Sequence, residues 1–176
     1  MSDANLWAPW RMQYIRGLGD KPDAKTSGGG GGSFLADYWA SPEKDRENMV
    51  LHRSVHAMIL LNRYPYTNGH LMVAPGRAVA DLTMLGREER ADLMELIVLA
   101  ERLLTAAMNP QGVNIGINIG KCAGAGLPGH LHVHLVPRWA GDTNFMSVIG
   151  SVRVVPQALE EVYEELAGVL PKVISD

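Results

Sequence analysis

The sequence predicts a single α+β domain, in which an antiparallel sheet of about five strands packs with one long helix and a C-terminal helix. Two observations carry this prediction. Short apolar segments bounded by turn residues recur through the middle of the chain, and two longer segments have the three- and four-residue apolar spacing of amphipathic helices. A chain of 176 residues that is 47% hydrophobic and 20% charged can bury one sizeable core.

Five apolar runs account for the predicted strands. They lie at 48–53, 56–62, 70–75, 112–120 and 130–138. Only Ser54 and Val55 separate the first two runs, so these predict a hairpin. A loop with three glycines and a proline, "KCAGAGLPG" at 121–129, separates the last two.

Residues 87–108 give the strongest helix prediction, because apolar residues recur on one face, acidic residues occupy the first turns and Asn109-Pro110 follows. Residues 155–170 predict the C-terminal amphipathic helix, and residues 34–40 a short helix before Pro42. The uninterrupted run Gly28–Gly32 predicts a flexible linker after an N-terminal arm rich in aromatic residues.

Composition limits the function and the location. A net charge of −3 argues against binding of nucleic acid, although a local set of donors can hold a small anionic substrate. The single cysteine, Cys122, forms no internal disulfide and indicates a reducing compartment. No apolar run has the length of a signal peptide core or a membrane span, so the sequence predicts a cytoplasmic protein with no membrane partner.

The segment "GHLHVHLVPRW" at 129–139 holds His130, His132 and His134 at alternate positions. Alternation is the period of a β-strand, so we expect the three imidazoles on one face and the aliphatic residues between them on the other. Three interpretations compete: coincidence, a metal site and nucleophilic catalysis.

The metal interpretation uses two histidines about 7 Å apart along a strand, with a third ligand from elsewhere. The neighbouring sequence offers no acidic residue on the same face; Cys122 lies in a loop, and Asp142, beyond the strand, is a candidate partner. Nucleophilic catalysis on phosphorus needs no metal, because a neutral imidazole is a competent nucleophile at physiological pH. The glycine-rich loop before the strand would then present backbone N–H groups to a phosphate.

The pattern "HLHVHLV" resembles the signature of the histidine triad family of nucleotide hydrolases and transferases. "LLNRYPYTNGHLMVAP" at 60–75 and "NIG" at 118–120 are similar to further blocks of that family. "LWAPWR" at 6–11 and "PRWAGDTNF" at 137–145 resemble its bacterial branch that includes diadenosine-tetraphosphate phosphorylases. The resemblance implies an N-terminal arm and linker at 1–33, the histidine triad domain at 34–139, and an extension at 140–176 whose helix packs on the same domain.

The resemblance also implies roles for individual residues. His132 would be the nucleophile that becomes adenylylated, His134 would contact the α-phosphate, and His130 would sit beside His70 and help hold or protonate the site. Residues expected to bind the nucleotide are Asn62 at the ribose, Asn118, Gly124, Ala125 and Gly126 at the phosphates, and Trp139 on the acceptor side. His52 and His56 match no role, and His70 has an alternative reading as a structural residue at the start of a strand.

Two positions depart from the family pattern. Many relatives carry a Ser or Thr whose hydroxyl bonds the phosphate or the leaving group, where this chain has Gly126. Relatives often carry Cys-x-x-Cys, which helps bind a structural zinc, where this chain reads "GSFL" at 32–35, so we expect no metal there.

The function implied by the resemblance is nucleotidyl transfer from the α-phosphate of an adenine dinucleotide, with phosphorolysis of diadenosine tetraphosphate to ADP and ATP favoured. Inorganic phosphate or water would be the acceptor, no cofactor would be required, and a divalent cation could enter as the substrate's counter-ion. The resemblance also implies a homodimer. The alternatives are hydrolysis of dinucleoside polyphosphates or nucleoside phosphoramidates, a catalytically silent nucleotide-binding module, and a mononuclear metal enzyme.

Overall fold

The computed structural model describes residues 32–142 and 156–175. The predicted arm, most of the glycine linker and the last residues of the segment 137–145 lie outside these residues. Over the described part of the chain, no helix combines the length and the apolar character that crossing a bilayer requires.

The described elements form an α+β fold, as predicted. The helices are α1 (Phe34–Trp39), α2 (Arg87–Met108) and α3 (Leu159–Ser175). The strands are β1 (Val50–Arg53), β2 (Ala57–Leu61), β3 (Leu71–Pro75), β4 (Gly112–Ile117) and β5 (Val133–Arg138). Short 3-10 turns cover Pro42–Lys44, Leu82–Met84 and Lys121–Ala123.

The five strands form one antiparallel sheet in the order β1-β2-β3-β5-β4. Strand β5 therefore lies inside the sheet, between β3 and β4, and β4 is an edge strand. This order brings the start of β3 next to the middle of β5, since Leu71 pairs with Leu135 and Met72 with His134. The histidine row consequently meets residues that precede it by more than sixty positions in the chain.

The two faces of the sheet have different partners. Helices α2 and α3 cover one face and enclose the larger core, which includes Leu131, Val133 and Leu135 from the histidine segment. Helix α1 covers part of the other face, where Leu35 packs in a smaller apolar cluster. The alternation predicted for the histidine segment is therefore confirmed, because its aliphatic residues face the helices.

Three elements have bounds that differ from the sequence predictions by three residues or more. The strand predicted at 130–138 begins only at Val133, because the N–H of Leu131 donates to the carbonyl of Val79 and the carbonyl of His130 accepts from a side chain. The strand predicted at 112–120 ends at Ile117, ahead of Gly120, whose φ of +82° begins a turn. The helix predicted at 155–170 runs instead from 159 to 175, continuing past Pro171 because Val173 is also buried.

Candidate active site

His132 has one ring nitrogen fixed by the backbone. Its Nδ1 lies 2.9 Å from the carbonyl oxygen of His130, and only a protonated nitrogen can donate to a carbonyl. In the neutral imidazole Nε2 then carries the lone pair. The side chain is buried, with a relative accessible area of 7%. This geometry gives a buried, oriented imidazole with a fixed tautomer, whose Nε2 is able to act as a nucleophile.

His130 is fully buried and uses both ring nitrogens. Its Nε2–H donates to the carbonyl of Pro75 at 2.7 Å, and its Nδ1 accepts from the Ser33 hydroxyl at 2.6 Å. Of the two roles expected for His130 beside His70, helping to hold the site agrees with these bonds, whereas protonating the site does not. Both of its nitrogens are engaged, and His70 is hydrogen-bonded to a different member of the row.

That partner is His134. The Nε2 of His70 lies 3.0 Å from the Nδ1 of His134, and the two rings are 5.1 Å apart. The Nδ1 of His70 accepts from the backbone N–H of Tyr66 at 3.1 Å, so in the neutral ring the proton is on Nε2. His70 thus donates to Nδ1 of His134, which leaves His134 with a proton on Nε2. The pair presents a neutral N–H donor 4.9 Å, ring to ring, from His132.

Burial favours the neutral form of two of these imidazoles, those of His134 and His130. Desolvation, and then the proximity of His132, lowers the pKa of His134 to about 4. Desolvation also lowers the pKa of His130, against the raising effect of its bond to Pro75. A neutral His134 donates a hydrogen bond without the cost of burying a charge.

Asn62 supports His70 in this structure. Its Nδ2 lies 3.3 Å from Nδ1 of His70, and its Oδ1 accepts from the N–H of Tyr64 at 2.9 Å. The carboxamide is thus oriented by the turn that precedes β3.

The glycine-rich loop lies between β4 and β5. Gly124 adopts a left-handed conformation with φ of +88°, and its carbonyl is 3.5 Å from Nδ2 of Asn118. A Cβ added at Gly126 would meet no atom within 4 Å, so the position of the expected hydroxyl is open. Ala125 is buried at 9% exposure, whereas its glycine neighbours are exposed and can approach a ligand.

Asp142 does not approach the histidines as a metal ligand in the described structure. Its carboxylate accepts from the Arg138 guanidinium at 2.5 and 3.0 Å and lies 3.3 Å from the N–H of Trp139. Across residues 32–142 and 156–175, no group of three or more His, Cys, Asp or Glu side chains could hold a metal ion.

Sequence reasoning missed three residues at the site. Ser33 bonds His130 from the start of α1. The Tyr66 ring packs against His70 at 4.5 Å and His134 at 5.7 Å. Gly116 of β4 pairs directly with His134. The pairing register of β4 with β5 could have indicated Gly116. No signal in the local sequence could have indicated Ser33, because its partner His130 lies 97 positions away.

The lowered pKa of His134 predicts a loss of stability in acid. In the unfolded chain the imidazole binds a proton as the pH falls below 6.5, whereas the folded protein resists protonation until about pH 4. The free energy of unfolding should therefore fall by about 1–2 kcal/mol between pH 7 and 4.5 from this group, after discounting for its partial exposure. Urea unfolding at several pH values measures it.

His134→Gln is the matched variant, because glutamine fills similar space and does not titrate. Subtracting the unfolding free energies of this variant from those of the wild type separates the pH dependence due to His134 from the pH dependence due to the carboxylates. Parallel curves for the two proteins across this pH range would contradict the prediction.

The fold and the site define a class of protein: an antiparallel α+β domain that carries an oriented imidazole with an unprotonated ring nitrogen beside a second imidazole that can donate a hydrogen bond. Residues 43–141 match the model of the HIT domain. An AP-4-A phosphorylase of Mycobacterium tuberculosis is 41% identical over 163 residues, which cover 92% of this chain and 82% of that protein. The chain belongs to the HIT domain family, as its histidine pattern predicts.

Other relatives agree with this assignment. A bis(5'-nucleosyl)-tetraphosphatase of Schizosaccharomyces pombe is 33% identical over 95 residues, which cover 54% of this chain and 52% of that protein. The crystal structure of a zinc-bound histidine triad family protein from Mycobacterium smegmatis superposes with a TM-score of 0.64 at 28% identity, covering 82% of this chain and 99% of the other. These likenesses support the fold and the family.

Proposed function

We propose that this protein is a nucleotidyl transferase that cleaves diadenosine tetraphosphate by phosphorolysis, yielding ADP and ATP. The observation that carries the proposal is the orientation of His132, whose Nδ1–H is bonded to the His130 carbonyl so that Nε2 is the nucleophile. The similarity of 92% of the chain to an AP-4-A phosphorylase supports the substrate.

The reaction has two displacements at one phosphorus atom. Nε2 of His132 attacks the α-phosphorus, forming an N–P bond as the bond to the bridging oxygen breaks and ATP leaves. The positive charge on the phosphorylated ring is stabilised by the His130 carbonyl, 2.9 Å from Nδ1. Inorganic phosphate then attacks the same phosphorus, and ADP leaves as the imidazole is restored.

The remaining candidate residues surround this step in our proposal. His134 donates its Nε2–H to a non-bridging oxygen of the α-phosphate, where negative charge develops in the transition state. His70 fixes the tautomer of His134, Asn62 reaches the ribose, and Asn118 contacts the phosphates. In the loop, Gly124, Ala125 and Gly126 offer backbone N–H groups, and Trp139 lines the acceptor side.

Product analysis tests the proposal directly. The protein is incubated with diadenosine tetraphosphate, with and without inorganic phosphate, and nucleotides are separated by chromatography. We expect ADP and ATP only in the presence of phosphate. AMP and ATP regardless of phosphate would make it a hydrolase, and no product in either incubation would overturn nucleotidyl transfer from this substrate.

Parallel incubations with and without a chelator test whether a cofactor is needed. We propose that none is required and that a divalent cation acts only as the counter-ion of the substrate. In that case excess chelator lowers the activity only to the extent that removing the counter-ion weakens the binding of the substrate. Two results together would favour the metal enzyme instead: complete loss of activity in the presence of chelator, and one zinc ion per chain in the protein as purified.

We also propose a homodimer formed through β4 and α2. Met94 and Val98 of α2 and Ile115 of β4 are 57%, 44% and 46% exposed in one chain. Ile115 pairs with Leu135 of the helix-facing core, so it projects to the same side of the sheet as α2. An edge strand beside an exposed apolar helix face is a surface that a second copy can cover.

Val98→Glu should convert this dimer to a monomer, because a carboxylate would be buried at the contact without a partner. Sedimentation velocity measures the change. Val55→Glu is the matched control, since Val55 is 77% exposed in the β1-β2 turn and lies outside the proposed contact. A dimeric Val98→Glu variant would place the contact elsewhere.

We also propose that the chain is divided into three parts: an N-terminal arm at 1–33, a domain at 34–139 and a C-terminal extension at 140–176. We propose a cytoplasmic location as well, which is supported by Cys122, a single cysteine that is exposed and free.

A further inference from the structure

We propose that Ser33, at the start of α1, is a positioning residue for the nucleophile, acting through His130. The inference rests on the proposed function of His132. Ser33 precedes the stretch 43–141 that matches the family model, and it is 99 positions from His132 in the chain.

The Ser33 hydroxyl has one direction in which to donate. Its oxygen accepts from the backbone N–H groups of Leu35 at 3.2 Å and Ala36 at 3.4 Å, as the N-cap of α1. The oxygen is thus an acceptor on the helix side, and its proton is directed to the third neighbour, Nδ1 of His130, at 2.6 Å.

The acceptor of this hydrogen bond, Nδ1 of His130, is fixed by the opposite side of the ring. Nε2 of His130 faces the Pro75 carbonyl at 2.7 Å and must carry the ring proton, so Nδ1 holds a lone pair. The ring is fully buried, where an unmatched polar nitrogen is costly. Ser33 and Pro75 together therefore fix both the tautomer and the orientation of His130.

The consequence reaches His132 through the main chain. The same residue whose ring is clamped supplies the carbonyl that accepts from Nδ1 of His132 at 2.9 Å. If the ring of His130 loses its anchor at Ser33, the residue can shift as a whole, and a displaced carbonyl would cost the nucleophilic nitrogen its alignment with phosphorus. Helix α1, which packs on the histidine face of the sheet, is thereby linked to the alignment of the nucleophile.

Two substitutions separate this role from helix capping. Ser33→Gly keeps an acceptable N-cap, since glycine caps nearly as well as threonine, but removes the donor to His130. Ser33→Thr restores a hydroxyl. We expect kcat on diadenosine tetraphosphate to fall by about 10- to 100-fold in Ser33→Gly with KM nearly unchanged, and to recover in Ser33→Thr.

Imidazole NMR supplies a readout that needs no turnover. The ¹⁵N resonance of His130 Nδ1 and the proton on His132 Nδ1 should both shift in Ser33→Gly and return in Ser33→Thr. Ser54→Ala is the matched control: its hydroxyl bonds Asp92 at 2.6 Å beside the β1-β2 turn, so it loses a partly buried hydroxyl contact that is not part of the histidine chain.

The outcomes are distinct. Reduced kcat together with shifted imidazole signals supports the role of Ser33. An unchanged His132 signal, or a Ser33→Gly variant with wild-type kcat and only the stability loss of Ser54→Ala, overturns it. If the wild type itself turns over no dinucleotide, the proposed function fails while the NMR comparison still decides whether Ser33 orients the two histidines.

Discussion

Replacing His132 by alanine is expected to abolish turnover of diadenosine tetraphosphate while leaving nucleotide binding nearly intact. Without the imidazole no covalent intermediate forms, and the reaction must proceed by direct attack of phosphate on a tetraphosphate. The loss in kcat should be at least about 10³-fold, the scale on which removal of an oriented nucleophile acts. Single-turnover kinetics measures the chemical step, and titration with a non-cleavable analogue measures the affinity.

Wild-type protein quenched during turnover should carry one AMP on His132, detectable by mass spectrometry at neutral or basic pH because the N–P bond is labile in acid. His56→Ala is the matched control, since His56 lies in the β1-β2 turn and contacts Asp92 through its backbone N–H. Near-normal turnover by His132→Ala, or an adduct on another residue, would contradict the mechanism.

The sequence predicts the elements of this site better than their contacts. Helix α2 begins and ends at 87 and 108 as predicted, because its apolar spacing, acidic first turns and Asn109-Pro110 are all local signals. The alternation around His132 likewise predicts which residues enter the core, since burial of one sheet face determines register.

The hydrogen-bond partners of the histidines could be identified only from the fold. The resemblance implies that His70 lies beside His130, whereas the order β3-β5-β4 and the pairing of Met72 with His134 bring His70 into a hydrogen bond with His134. The bond from Ser33 to His130 depends on where α1 docks on the sheet, which no local pattern encodes. Local propensity determines strands and helices, whereas strand order and docking determine which imidazole holds which proton.

Gly116→Leu is expected to leave the fold intact and to block the site. Gly116 pairs directly with His134, so a side chain at this position would project to the same side of the sheet as that imidazole. A Cβ there would meet no atom within 4 Å, and the backbone is outside the left-handed region that favours glycine. A leucine can therefore be accommodated, and its side chain would occupy the space beside His134 in which we place the α-phosphate.

The expected result is a fall in kcat/KM of about 100-fold or more with a free energy of unfolding within about 1 kcal/mol of the wild type. Gly112→Leu is the matched control on the same strand and the same face. Its Cβ also meets nothing within 4 Å, but its partner is Arg138, at the far end of β5 from the nucleophile. If the two variants keep equal activity, the nucleotide does not lie over this face of β4. If only Gly116→Leu is inactive and Gly116→Ala is intermediate, side-chain volume beside His134 is what excludes the substrate.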